Sequence, residues 1–137
     1  MFVETKHSNM TPNQKAEAFE NRLIDFAVRI LNVADSLPSK YSAQYFCKQI
    51  IRSGSAPALL YGEARGAESK SDFYHKVCVA LKELRETHIN LKIIARKGFI
   101  PIEKLVEVLD ENNQLISILV VSARTVKGRR DDDKLKK

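Results

Sequence analysis

Residues 61–94 read YGEARGAESKSDFYHKVCVALKELRETHINLKII, and this stretch decides the architecture. Phe73, Val77, Ala80, Leu84, His88, Leu91 and Ala95 follow one another in steps of three or four, the spacing of one face of an α-helix. A second series through Cys78, Leu81 and Ile89 widens that face, as a helix packed against two neighbours needs. Ser69 and Asp72 form a Ser-x-x-Asp capping arrangement at the start. Gly98 supplies the C′ stop after Lys97, and Arg96 and Lys97 suit the negative end of the helix dipole. From Ser69 to Lys97, at ~1.5 Å per residue, the helix spans roughly 43 Å.

Working outward, three further helices are predicted. The first runs from Asn13 to Ser36 behind Thr11-Pro12, an N-cap followed by a residue tolerated at the first helical position. Phe19, Leu23, Phe26, Ala27, Ile30, Leu31 and Ala34 make its apolar face, and Leu37-Pro38-Ser39 ends it. The second runs from Ser42 to Ala64, with Ala43, Phe46, Ile50, Leu59 and Leu60 as core candidates. Pro57 removes a backbone donor inside it, so either a kink or a break into two helices is expected there. Gly54, flanked by Ser53 and Ser55, would let a neighbouring helix come close. The fourth begins at Pro101 and continues through Leu105, Val108, Leu109, Leu115, Ile116, Leu119 and Val120 to about Thr125. Four helices of similar length with short connections predict an all-α, up-down-up-down four-helix bundle over residues 13–125. Residues 1–12 read as a flexible N-terminus and 126–137 as a charged, disordered tail.

The chain's 137 residues suit one domain with a real core, and only five glycines and four prolines favour helix. Cys47 and Cys78 have no CxxC or zinc spacing and read as free thiols in a reducing compartment. No leader-like or membrane-spanning apolar run occurs, so a cytoplasmic location is expected. The net charge of +6 and pI near 9.4 raise the case for an anionic partner. Seven basic and three acidic residues lie in 124–137, against one basic and four acidic in 101–123. Positive charge therefore reads as diffuse, spread over the first three helices and the tail, with an acidic fourth helix.

The words of the second and third helices carry a resemblance. Arg52-Ser53 with Ser55, Glu63-Ala64, Ala67-Glu68-Ser69, Asp72-Phe73 with His75-Lys76, Leu81-Lys82-Glu83 and Glu86-Thr87 stand in an order and spacing that are specific together. So read, the chain resembles the bacterial four-helix-bundle proteins associated with intervening sequences in 23S ribosomal RNA, also labelled S23 ribosomal protein-like. The first and fourth helices match that family in pattern and length. The resemblance implies a homo-oligomer, a ring of five. Relatives in diversity-generating retroelements, where a similar bundle assists a reverse transcriptase, imply a nucleic-acid or protein partner without enzymatic activity. Many members have asparagine after the Ser-x-Pro-Ala word where this chain has Leu59, which puts any function tied to that polar contact in doubt.

No constellation of residues supports catalysis or a cofactor. His75 and His88 are thirteen apart on one helix and His7 is near the N-terminus, whereas helical metal pairs need spacings of three or four. Glu83 and Glu86 lack the Glu-x-x-His pattern of di-iron bundles. Asp72-Lys76 and Lys82-Glu86 read as i,i+4 helix pairs. Arg52 is expected to reach across helices to Glu63, Glu83 or Glu86, Glu83 first, and to fix helix register.

The expected function is a non-enzymatic, oligomeric bundle that binds RNA or DNA through basic surfaces. The candidate phosphate contacts are Lys48, Arg65, Lys70, Lys76, Lys82, Arg85, Lys92, Arg96, Lys97, Arg129 and Arg130. Against it, the tyrosines at 41, 45, 61 and 74 are scattered and form no stacking platform. The alternative is a protein-interaction scaffold that recruits a partner protein and never touches nucleic acid.

Overall fold

The computed structural model describes the backbone of residues 9–135 and the side chains of residues 9–129. Four helices follow in chain order: α1 (Pro12–Asp35), α2 (Tyr41–Arg65), α3 (Lys70–Lys97) and α4 (Val106–Leu135). The Thr11 hydroxyl accepts from the Gln14 amide at 3.1 Å while the Gln14 side chain accepts from the Thr11 amide at 2.9 Å. This reciprocal capping box starts α1, with Pro12 in its first turn. Ser69 caps α3 by accepting from the Asp72 amide at 3.0 Å. At the other end Gly98 takes φ 83°, a left-handed conformation that costs a side-chain-free residue little. Its amide donates to the Ala95 carbonyl and that of Phe99 to the Ile94 carbonyl, the paired bonds of a Schellman turn.

The connection to α4 differs from the sequence expectation of a helix beginning at Pro101. Pro101 is extended, with φ −60° and ψ 140°, and a 3-10 turn at Ile102–Lys104 precedes the helix. At the far end the expectation of a stop near Thr125 also fails. Gly128 costs about 1 kcal/mol relative to alanine but adopts no left-handed conformation, so α4 runs on to Leu135. Residues 126–135, read from sequence as a disordered tail, are thus helical backbone. Residues 1–8, with His7, and 136–137 lie outside the described residues.

Pro57 sits buried inside α2 and the helix is continuous through it, which sets aside the two-helix alternative. Leu59 follows Pro57 by two residues, a rotation of ~200°. It therefore points away from the core and is 70% exposed, contrary to its expected burial. The same bookkeeping of turns corrects α1 and α3. Leu31 is exposed, and the inward series of α3 is Val77, Ala80, Leu84, Thr87, Leu91 and Ile94. Thr87, not His88, occupies the inward position; His88 and Ala95 flank it half-buried, and Ile89 is exposed.

The core joins Leu23, Phe26 and Ile30 of α1 and Ile50 of α2 to Val77, Leu84 and Leu91 of α3, Leu105 just before α4, and Leu115 and Leu119 of α4. A Cβ on Gly54 would lie 2.5 Å from Ile30 Cγ2, so α1 and α2 approach at a distance that only glycine permits. Consecutive helices pack along their length, whereas α1 and α4 meet only briefly.

Candidate nucleic-acid interface

The inward series of α3 leaves an opposite face to solvent. Lys82, Arg85, Ile89, Lys92 and Arg96 follow one another in steps of three and four, and all five are exposed. They fall within an arc of roughly 80°, centred about 150° from the buried series. Charge that reads as diffuse along the chain is gathered by the helix into one stripe. Among the described residues, none of its four cations enters an ion pair or a side-chain hydrogen bond, although Lys82 lies near enough to Glu86 to favour its ionised form. No carboxylate interrupts the stripe.

The remaining candidates divide differently. Arg65 is committed: its guanidinium donates to Glu20 at 3.0 Å and to Asn13 at 2.9 Å. Lys76 lies 3.8 Å from Glu63. Lys97 stands over the Phe99 ring at 5.9 Å, next to the lower end of the stripe. Lys48 is exposed beside Tyr45 near the start of α2. Lys70 and Arg129 line a cleft of about 610 Å³ at the opposite end of the bundle, together with Arg65, Glu68 and Phe73. The side chain of Arg130 lies outside the described residues.

One edge of α3 is braced to α2. Arg52 donates from one nitrogen to Glu83 and from the other to Glu86, both at 2.8 Å. These bonds, the Glu86 bond first, raise the Arg52 pKa, and the Arg52 bond holds the Glu86 carboxyl below its ordinary value of 4.5. Glu63 pairs with Lys76 instead and does not join this cluster. Beneath the brace, the Thr87 hydroxyl lies 2.9 Å from Ser53 Oγ and 2.8 Å from the Glu83 carbonyl. With one proton, Thr87 donates to the carbonyl and accepts from Ser53. The other edge of α3 carries His88. Burial, and then the Lys92 ammonium, hold its imidazole below 6.5, so it is neutral at pH 7.

Three polar features escape a reading of the sequence. The Ser53–Thr87 pair joins residues 34 positions apart. Arg22 of α1 clasps Glu111 through two bonds of 2.8 Å and reaches Gln114 at 2.7 Å. Asn112 is fully buried, and neither polar atom of its side chain has a partner. Its only sequence signal is the gap in the apolar series Leu105, Val108, Leu115, Leu119. No group of three or more His, Cys, Asp or Glu that could hold a metal occurs among the described residues. Nor is any described helix long and apolar enough to cross a membrane. Cys47 and Cys78 are free thiols, both half-buried.

A crystal structure of a protein of unknown function, from the S23 ribosomal protein family of Bacteroides thetaiotaomicron, is similar to this chain. Its TM-score is 0.72 at 30% sequence identity, covering 77% of this chain and 97% of that one. No curated protein matches. The profile of the 23S rRNA-intervening sequence proteins matches residues 17–121, from the first helix to the last. The chain belongs to the 23S rRNA-intervening sequence protein family.

Proposed function

We propose that this protein is a non-enzymatic, cytoplasmic bundle that binds RNA or DNA through the outer stripe of α3. The observation that carries the reading is the set of four exposed cations, Lys82, Arg85, Lys92 and Arg96, on one helical face without a carboxylate among them. Charges already neutralised inside the fold, as on Arg22, Arg52 and Arg65, add little to such a surface. Phosphate neutralisation by the free ones releases counterions and supplies sequence-independent affinity that falls steeply with salt.

Assembly strengthens the reading. Ile24, Val28 and Leu31 form an exposed apolar row along α1, one turn apart. A second copy of the chain is the occupant we assign to it, within the ring of five that the family resemblance implies. Symmetry would then repeat the α3 stripe, and weak contacts would sum.

The test is a salt titration of binding to generic RNA and duplex DNA, run beside light scattering. Affinity should fall with salt at a log–log slope of about −0.7 to −0.9 per phosphate contacted. Replacing all four stripe cations with alanine should flatten that slope; an unchanged slope would move the site elsewhere, and no binding at low salt would end the reading. The exposed Leu59 and Tyr45 on α2 favour a second reading, a scaffold that recruits a partner protein such as a reverse transcriptase. That reading expects partner binding insensitive to the stripe substitutions.

A further inference from the structure

A phosphate-binding stripe alone does not account for the groove along its α4 side. This groove of about 490 Å³ lies between α3 and α4, within the ~300–1,000 Å³ range of small-ligand clefts. His88, Lys92 and Arg96 form its α3 wall at successive turns, about 6 Å apart along the axis. Ile102 and Leu109 make it apolar, and Asn113 borders it from α4. Ile102 is 46% exposed, an aliphatic side chain left in solvent in a groove with four nitrogen-bearing ones.

Resting on the nucleic-acid reading above, we propose that this groove seats one unstacked base of a single-stranded nucleic acid, whose flanking phosphates lie on Lys92 and Arg96. Each element has a chemical counterpart in such a strand. A base has flat faces that stack on an imidazole or a guanidinium plane, here His88 and Arg96. Neutral at pH 7, His88 offers its ring without adding charge. The apolar floor of Ile102 and Leu109 takes the base out of water. Asn113, whose side-chain amide makes no hydrogen bond among the described residues, presents a donor and an acceptor to a base edge. One helical turn between cations is on the scale of the step between phosphates of an extended strand. A duplex keeps its bases paired and stacked and cannot place one in the groove, so the ligand is single-stranded.

The experiment is fluorescence anisotropy on the full chain at low salt. The ligands are labelled single-stranded RNA and DNA oligonucleotides, an abasic strand of equal length, and a duplex of equal phosphate number. Base-bearing strands should bind roughly tenfold tighter than the abasic strand. His88→Ala and Asn113→Ala, both outside the core, should bring base-bearing strands to the abasic level without changing abasic binding or the salt slope. Circular dichroism melts verify that these variants fold. Equal binding of abasic and base-bearing strands would overturn the base seat and leave the phosphate stripe standing. So would equal losses for both in His88→Ala and Asn113→Ala. Absence of all binding at the lowest salt would remove stripe and seat together.

Discussion

The inward faces of α2 and α4 solve the same packing problem with opposite chemistry. α2 presents small and mixed residues, Ala43, Ser53, Gly54, Pro57 and Ala64 beside Ile50 and Tyr61. α4 presents Val108, Leu115 and Leu119, interrupted by Asn112. The small face lets α1 close onto Gly54 and brings Ser53 within 2.9 Å of Thr87, so the buried hydroxyls find each other. The larger face leaves the Asn112 amide without a partner. A polar group is tolerated in a bundle interior when backbones come close enough for another short polar side chain to reach it.

The largest expected effect tests the close approach itself. Gly54→Val drives a branched side chain into Ile30, which is fully buried. A loss of about 3 kcal/mol is expected in denaturant unfolding, toward the upper end of overpacking costs. A loss below that of an ordinary surface change would show that α1 and α2 can separate freely.

Next comes the satisfied pair. Thr87→Val keeps the shape and strands the Ser53 hydroxyl in the core, a cost of about 2 kcal/mol. The double variant with Ser53→Ala should recover much of it, since both partners are then apolar. If the second substitution only adds to the first, the two hydroxyls are not coupled.

The opposite sign is expected on α4. Asn112→Leu removes an unpartnered amide from an otherwise aliphatic face and should raise stability by about 1 kcal/mol, read as a higher Tm. A drop instead would mean that the amide is satisfied inside the bundle, as by a buried water.

The smallest effect belongs to the brace at the edge of the α2–α3 seam. The Arg52 side chain is 51% exposed, and such pairs contribute ~0.2–1 kcal/mol. Arg52→Ala should lower the Tm slightly and disturb oligomer size if the brace fixes register; no change in either would refute that role. Because Arg52 depresses the Glu86 pKa, the stabilisation is present above about pH 4.5 and is lost as pH falls through the lower folded value. The Tm gap between the native chain and Glu86→Gln should therefore close in acid.

Much of the fold was legible because its signals are local. Thr11-Pro12, Ser69 with Asp72, and Gly98 act within one turn of the backbone groups they satisfy, and each marks a helix end in the structure. The end of α4 is not legible in the sequence because charge and a glycine suggest disorder, yet neither forbids helix. His88 reads as part of the apolar face because apolar periodicity tolerates a slip of one residue, and the polar Thr87 hides the true inward position.

For the candidate interface, the types and positions of the cations were in the chain. Their division into committed and available charges was not. Arg65 and Glu20 are 45 positions apart, and Arg22 and Glu111 are 89. Ion pairs of that separation form only after helices have packed, because closing such loops is rewarded only by the assembled core. Short-range periodicity and word order suffice for the four amphipathic helices, the caps of α1 and α3, and the family. Packing alone decided which arginines neutralise carboxylates, which hydroxyls pair, and that Lys82, Arg85, Lys92 and Arg96 stay exposed on one face of α3.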